Sequence, residues 1–189
     1  MVVPRPLRAV TATLALLLSL TSAAAVMHQQ QAQNLQVLQQ EPHSDNTTIV
    51  WYASTSHPQS QSRSQPQSSR RAVITCGDNL VTCTSKALAR ADACSGLFGY
   101  LSDKGSTAPP RDSVAVCWVD PEGPAGNNQC CTAWRQWNSG IVMGYLLGAA
   151  TKTWNQCKTG GGLVGGVTNE VNLNGICQSQ CLGNTRECF

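Results

Sequence analysis

Histidine is absent from the C-terminal two thirds of the chain. All three histidines of the sequence precede Arg71: His28, His43 and His57. Histidine is the side chain that most easily serves as a general base near neutral pH. Residues 72–189 therefore contain no Ser-His-Asp or Cys-His arrangement and no usual catalytic zinc site.

Residues 72–189 also lack a net charge, and no long apolar run follows the first 25 residues. Eight basic and eight acidic side chains balance in 72–189, so the +3 of the whole chain comes from residues 1–71. A basic surface for nucleic acid or anionic lipid is not indicated. We expect no nucleic-acid partner, and no segment reaches the roughly 20 residues that span a bilayer.

Residues 1–25 have the three-part pattern of a secretory signal. Arg5 and Arg8 precede an apolar run that ends at Leu20, and three alanines follow it, the last being Ala25. The run is about half as long as a membrane-spanning helix. The sequence predicts an exported, extracellular protein that is cleaved after Ala25.

Residues 26–71 are predicted to be a disordered pro-region. This segment contains eleven glutamines and eight serines among 46 residues and has few large apolar groups, so it is expected to bury too little surface to fold. It ends in Arg70-Arg71, which resembles the dibasic site of kexin-type processing proteases. We expect cleavage there and a mature chain that begins at Ala72; the alternative is an uncut polar linker.

One N-glycosylation sequon, Asn46-Thr47-Thr48, occurs in the chain. It falls in the predicted pro-region. Any glycan on Asn46 would then leave with that segment.

The ten cysteines all lie in the C-terminal part and predict five disulfides. An even count in an exported chain favours pairing over metal binding, and we expect no metal and no cofactor. Their spacing leaves the pairing open, except that neighbouring cysteines on a strand point to opposite faces and need different partners. The cysteines are Cys76, Cys83, Cys94, Cys117, Cys130, Cys131, Cys157, Cys177, Cys181 and Cys188.

Residues 72–189 show the element order β-α-β-β-α-β. A first helix is predicted from Thr84 or Ser85 to about Leu101, and a second from Asn138 or Ser139 to about Cys157. Strands are predicted over 72–83, 113–119 and 167–174 and around Cys130-Cys131. This order predicts an α+β fold, a small disulfide-rich two-layer sandwich of split β-α-β type with two helices on one face of an antiparallel sheet.

Glycines recur every four residues at Gly140, Gly144 and Gly148. In a membrane this spacing marks helix pairing. In an exported, disulfide-bonded domain we expect it to mark close packing on the sheet, with membrane contact of this helix as the minor alternative.

The candidates for function are few. Two of the acids Asp112, Asp120 and Glu122 could serve an acid-dependent glycoside hydrolase. Trp137 is predicted to be the most exposed tryptophan of the C-terminal part. Together with Glu122 and Asn127 of the loop over 121–128, it forms the predicted contact surface.

Three stretches of the C-terminal half form a distinctive set: Asn128-Gln129-Cys130-Cys131 with Trp134, the glycine-rich stretch to Gly166, and Leu173-Asn174-Gly175-Ile176-Cys177 followed by Cys181. In these stretches the chain resembles the fungal secreted cysteine-rich domain called "WD-like", which is unrelated to WD-repeat propellers. The resemblance implies a fungal source and a secreted product, and carries no established activity. The order of signal, pro-region, dibasic site and α/β domain also resembles fungal killer toxins and effectors.

These observations favour a secreted, processed, monomeric protein that acts by binding an extracellular protein or a wall component, and not an enzyme. Two alternatives stay open: an extracellular acid hydrolase that uses paired carboxylates, and a structural protein of the cell wall.

Overall fold

An antiparallel sheet of seven strands forms the centre of the structure. The computed structural model describes residues 35–43, 46–55, 76–124 and 127–186. The strands are β1 (Leu35–Pro42), β2 (Thr48–Ser54), β3 (Val81–Cys83), β4 (Ala89–Arg90), β5 (Ser113–Val119), β6 (Gln129–Trp134), β7 (Leu163–Val164), β8 (Gly166–Leu173) and β9 (Ile176–Gly183). The sheet order is β1-β2-β5-β6-β9-β8-β3, and β4 pairs with β7 separately.

Two helices, α1 (Ala91–Asp103) and α2 (Met143–Cys157), cover one face of this sheet. The core between helices and sheet includes Trp51, Leu97, Trp134, Leu146 and Leu182, each at most 2% exposed. A second apolar cluster lies on the opposite face of the sheet, around Tyr52, Cys117 and Cys131. The predicted α+β class, with two helices on one face of an antiparallel sheet, is confirmed.

The hairpin β1–β2 corrects the prediction of disorder over Val26–Arg71. That prediction is wrong for residues 35–43 and 46–55, which form two strands of the main sheet. Four consecutive apolar side chains, Ile49 to Tyr52, alternate between the two faces, and each is at most 6% exposed. This local run outweighs the Gln- and Ser-rich average of the segment. The rest of 1–71, including Ala25, Arg70 and Arg71, lies outside the described residues.

Four disulfides connect the elements of the C-terminal part. They are Cys76–Cys177, Cys83–Cys157, Cys94–Cys130 and Cys117–Cys131. As predicted, Cys130 and Cys131 have different partners: Cys130 joins β6 to α1, and Cys131 joins it to β5. Cys181 is also disulfide-bonded, whereas Cys188 lies outside the described residues.

Both helices begin later than predicted, because the preceding residues form other backbone hydrogen bonds. Ala89 and Arg90 pair with β7, and the Ala91 N–H donates to the Gly162 carbonyl at 2.8 Å. At the start of α2, the N–H groups of Met143 and Gly144 donate to the carbonyls of Thr107 and Gly105 at 3.0 and 2.9 Å. The loop after α1 thus caps α2 without a side-chain cap.

Strand β8 contains a bulge between Thr168 and Val171. Glu170 lies in this bulge with a φ of 58°. The extra residue moves Val167 to the face opposite Val171 and Leu173, whereas regular alternation over the predicted strand 167–174 would place all three on one side. The predicted Asn174-Gly175 hairpin turn is present between β8 and β9, with both residues at positive φ.

The glycines spaced by four residues pack closely at two of the three positions. A Cβ on Gly144 would lie 3.0 Å from the Gly105 carbonyl oxygen, and one on Gly140 would overlap the Asn174 side chain. A Cβ on Gly148 would have no atom of another described element within 4 Å. Close packing is therefore present at Gly140 and Gly144, but the residues that they contact belong to loops and not to the sheet. Among the described residues, no helix is long and apolar enough to cross a bilayer.

Candidate functional site: a polar groove at one end of the sheet

A polar groove lies where β6 ends and β9 begins. Its volume is about 580 Å³, within the range of about 300–1,000 Å³ that is usual for ligand sites. Three segments that are distant in sequence meet here, because β9 pairs with both β6 and β8. The residues that line the polar groove are Arg135, Gln136, Asn169, Glu170, Cys177, Gln178 and Ser179.

Hydrogen bonds hold several of these side chains in place. The Ser179 hydroxyl donates to Asn169 Oδ1 at 2.9 Å, and the Gln136 N–H donates to Gln178 Oε1 at 3.0 Å. The Asn169 N–H donates to the Leu80 carbonyl at 2.8 Å. The segment that contains Leu80 is also connected to β9, through the Cys76–Cys177 disulfide. The side chains of Asn169, Gln178 and Ser179 are therefore positioned before any ligand arrives.

Gln178 has an unused hydrogen-bond donor. Its side chain is 7% exposed, and its Nε2 has no hydrogen-bond partner among the described residues. Because the Gln136 N–H needs an acceptor, Oε1 must face it, and this fixes the orientation of the amide. An unsatisfied buried donor costs about 1–3 kcal/mol. A carbonyl or hydroxyl oxygen of a ligand that reached Nε2 would remove this cost.

The polar groove carries one charge of each sign. Arg135 and Glu170 are both exposed. The Glu170 carboxylate lies against Gly77, where the lack of a side chain leaves room for it. The opposite charges sit among amide and hydroxyl groups and suit a ligand that offers both hydrogen-bond donors and acceptors.

The carboxylates predicted from the sequence are not brought together as a set. Asp112 precedes β5 and Asp120 follows it, so the two are separated by roughly 25 Å along an extended strand. The carboxyl pairs of glycosidases are about 5–9.5 Å apart. Asp120 Oδ1 accepts a hydrogen bond from the Glu122 N–H at 3.0 Å, as in a turn. Asp112 therefore does not form the predicted acid pair with Asp120 or Glu122.

The predicted contact surface of Trp137, Glu122 and Asn127 is divided by β6. Trp137 follows the end of this strand, next to the polar groove, whereas Glu122 and Asn127 precede its start. Six strand residues separate the ends by about 20 Å. Trp137 is only partly exposed, as Trp118 and Trp154 are. Trp137 therefore lies at one end of β6, and Glu122 and Asn127 lie at the other.

Glu122 and Asn127 instead lie near the turn between β1 and β2. Asn46 Nδ2 donates to Glu122 Oε1 at 3.3 Å, and Asn184 Nδ2 donates to Asn127 Oδ1 at 3.4 Å. Asn46, the asparagine of the sequon, is exposed in this turn with a φ of 62°. A glycan on Asn46 would stand at the end of the sheet opposite the polar groove.

His43 belongs to the folded unit, which the sequence argument did not anticipate. Its ring lies 5.0 Å from Trp118 and 5.8 Å from Tyr100, with edge-on geometry. The absence of histidine from 72–189 therefore does not extend to the whole fold. His43 is not among the residues that line the polar groove. Among the described residues, no cluster of three or more histidine, cysteine, aspartate or glutamate side chains could hold a metal ion.

Comparisons of the chain with known protein families, with curated proteins and with solved structures found no match.

Proposed function

We propose that this protein is a secreted, effector-like or killer-toxin-like protein that binds an extracellular protein through the polar groove. The disulfides fit an oxidising, extracellular compartment. The signal sequence, the dibasic site and the resemblance to the fungal secreted family support the same interpretation.

The observation that carries the proposal is the unpaired Nε2 donor of Gln178. Nε2 of this buried side chain lacks a partner among the described residues, in a groove where Ser179 and Asn169 hold each other in place. Native proteins seldom leave such a donor unsatisfied without a functional reason. A bound carbonyl oxygen would satisfy it.

The chemistry of the polar groove favours binding over hydrolysis. Glu170 is the single carboxylate among its lining residues, so the groove offers no acid pair. Cys177, its one cysteine, is held in a disulfide with Cys76 and is not a free thiolate nucleophile.

A protein ligand fits the lining better than a polysaccharide does. No aromatic side chain is among the described residues that line the groove, so these residues offer a sugar ring no flat apolar surface to lie on. The amides of Gln136, Asn169 and Gln178 can pair with peptide groups, while Arg135 and Glu170 can pair with charged side chains. We therefore propose a polar loop or extended segment of a target protein as the ligand.

The test compares two charge reversals at exposed arginines. Wild type, Arg135→Glu and Arg111→Glu would be immobilised and exposed to host or competitor-cell extracts, and the affinity of each captured protein measured. Arg111 lies before β5, and its side chain is 84% exposed, which makes it a matched control. We expect Arg135→Glu to weaken binding at least about tenfold and Arg111→Glu to leave it unchanged.

Equal binding by all three proteins would reject the polar groove as the site. Wall polysaccharides would be tested in parallel. Retention on polysaccharide that Arg135→Glu abolishes would replace the protein ligand by a wall component. Hydrolysis of polysaccharide that Asp120→Asn abolishes would instead support the acid hydrolase.

A further inference from the structure

The hairpin β1–β2 is a large part of the core. Strand β2 pairs with β5 from Thr48↔Val119 to Ala53↔Ser113. Ile49 and Trp51 are both 0% exposed between sheet and helices. The hairpin thus supplies an internal strand of the sheet, and without it the hydrogen-bonding edge of β5 would be open.

Side-chain contacts hold the hairpin on both faces of the sheet. On the helix side, the Tyr100 hydroxyl donates to Glu41 Oε2 at 3.3 Å, and His43 packs against Tyr100 and Trp118. On the other side, the Arg186 guanidinium lies 4.8 Å from the centre of the Tyr52 ring. The interface therefore combines strand pairing, apolar burial and polar contacts.

No disulfide can join this hairpin to the rest of the chain, because the first cysteine of the sequence is Cys76. The covalent connection is residues 56–75, and the dibasic pair Arg70-Arg71 falls within it. The hairpin is the one part of the main sheet that a single cut would detach covalently.

We infer that the hairpin is a subunit and not a discarded pro-peptide. When the chain is cut between Thr55 and Cys76, residues 35–55 stay bound to the C-terminal chain without a covalent bond. A dibasic-specific endopeptidase would make this cut by adding water across the Arg71–Ala72 peptide bond, which leaves a carboxylate on Arg71 and an amine on Ala72. The C-terminal chain binds the hairpin through the edge of β5 and the apolar face that contacts Trp51. The bound element is the amphipathic strand β2, which comes from the same precursor chain.

The experiment uses the whole secreted chain with a specific protease sequence in place of residues 64–69, so that the cut does not depend on natural processing. After complete cleavage, gel filtration and native mass spectrometry would show whether the two chains migrate together. We expect a 1:1 complex that separates only in denaturant. A C-terminal chain that migrates alone in native buffer would overturn the inference.

Two substitutions in the hairpin make the test specific. Trp51→Ala removes the buried indole and is expected to weaken the complex at least about a hundredfold. Leu38→Ala changes a side chain that is 39% exposed, and it is expected to leave the affinity within about threefold. Equal loss of the hairpin from both variants would contradict the assigned interface. Should Trp51→Ala fail to fold, the co-migration of the cut wild-type chains still decides the question.

Discussion

At the scale of single residues, two buried glutamines of β9 differ in the hydrogen bonds that their Nε2 groups donate. Gln180 Nε2 donates to Thr132 Oγ1 at 2.8 Å and to the Leu146 carbonyl at 2.6 Å. It therefore connects β9 with β6 and α2 inside the core. Gln178 has an unpaired donor at the polar groove instead. Gln180 therefore contributes to stability, whereas Gln178 is the residue that we propose for recognition.

Replacing Gln180 by alanine should destabilise the fold by about 2–4 kcal/mol. The change removes both hydrogen bonds, leaves the Leu146 carbonyl buried without this donor and opens a cavity. Urea denaturation of the secreted protein would measure it. Gln156→Ala, at an exposed position of α2, is the control and should shift stability by less than about 0.5 kcal/mol. Equal stability of the two variants would contradict this role of Gln180.

Tyr100 should make the fold sensitive to alkaline pH. Burial, followed by the nearby Glu41 carboxylate, raises the pKa of Tyr100 to about 12, whereas the unfolded chain has an ordinary tyrosine pKa of about 10. Between these values the unfolded state loses a proton that the folded state keeps. The contribution of Tyr100 to stability is complete below about pH 10 and declines as the pH rises toward 12.

Denaturation curves between pH 9 and 12 test this titration. We expect stability to fall less steeply in Tyr100→Phe than in wild type. Tyr145→Phe, at a side chain that is 46% exposed, should follow the wild-type curve. A Tyr100→Phe curve parallel to wild type would show that the folded-state pKa is not raised.

At the scale of elements, the strands predicted best are those with a run of buried residues or with apolar alternation. Strand β5 has the predicted bounds, and β6 and β8 agree within a few residues. The start of α1 was wrong because the short pairing of β4 with β7 is a long-range contact that no local pattern contains. The hairpin was missed because the composition of a 46-residue segment concealed one short strand. The run Ile-Val-Trp-Tyr at 49–52 was the signal that could have found it.

Helix α1 provides a matched pair of glycines. A Cβ on Gly96 would lie 2.8 Å from Cζ2 of the Trp118 indole, whereas a Cβ on Gly99 would have no atom of another described element within 4 Å. Alanine is favoured over glycine in a helix by about 1 kcal/mol. We therefore expect Gly99→Ala to raise the melting temperature and Gly96→Ala to lower it, because the steric overlap outweighs the helix preference. Thermal melts of both variants decide this, and stabilisation by both would contradict the packing of Trp118 on α1.

At the scale of the whole molecule, the disulfides tie α1 and α2 to the sheet. The pairings Cys94–Cys130 and Cys83–Cys157 connect each helix to a different strand. The cysteine count predicted disulfide bonding. The pairing, however, depends on which strands are neighbours in the sheet, and the spacing of cysteines along the sequence does not contain that information. The polar groove could not be predicted for the same reason. Its walls come from three segments that only the sheet order brings together.

Peptide mapping of the non-reduced protein should find the four described disulfides and, by elimination, Cys181 linked to Cys188. Reduction and alkylation should abolish the cooperative thermal transition, since each bond contributes about 2–4 kcal/mol. Circular dichroism would follow the melt. A reduced protein that melts close to the oxidised form would show that the core is sufficient without the disulfides.

The place of β2 in the fold is read most directly by amide hydrogen exchange of the uncut secreted protein. Residues 48–54 pair with β1 on one side and β5 on the other, so their amides should be protected as strongly as those of β5 and β6. Peptides that cover Ile49 to Ala53 should therefore keep deuterium out for as long as peptides that cover Val114 to Trp118. Exchange of residues 48–54 at the rate of an unstructured chain, with β5 still protected, would contradict the structure and restore a domain that begins after Arg71.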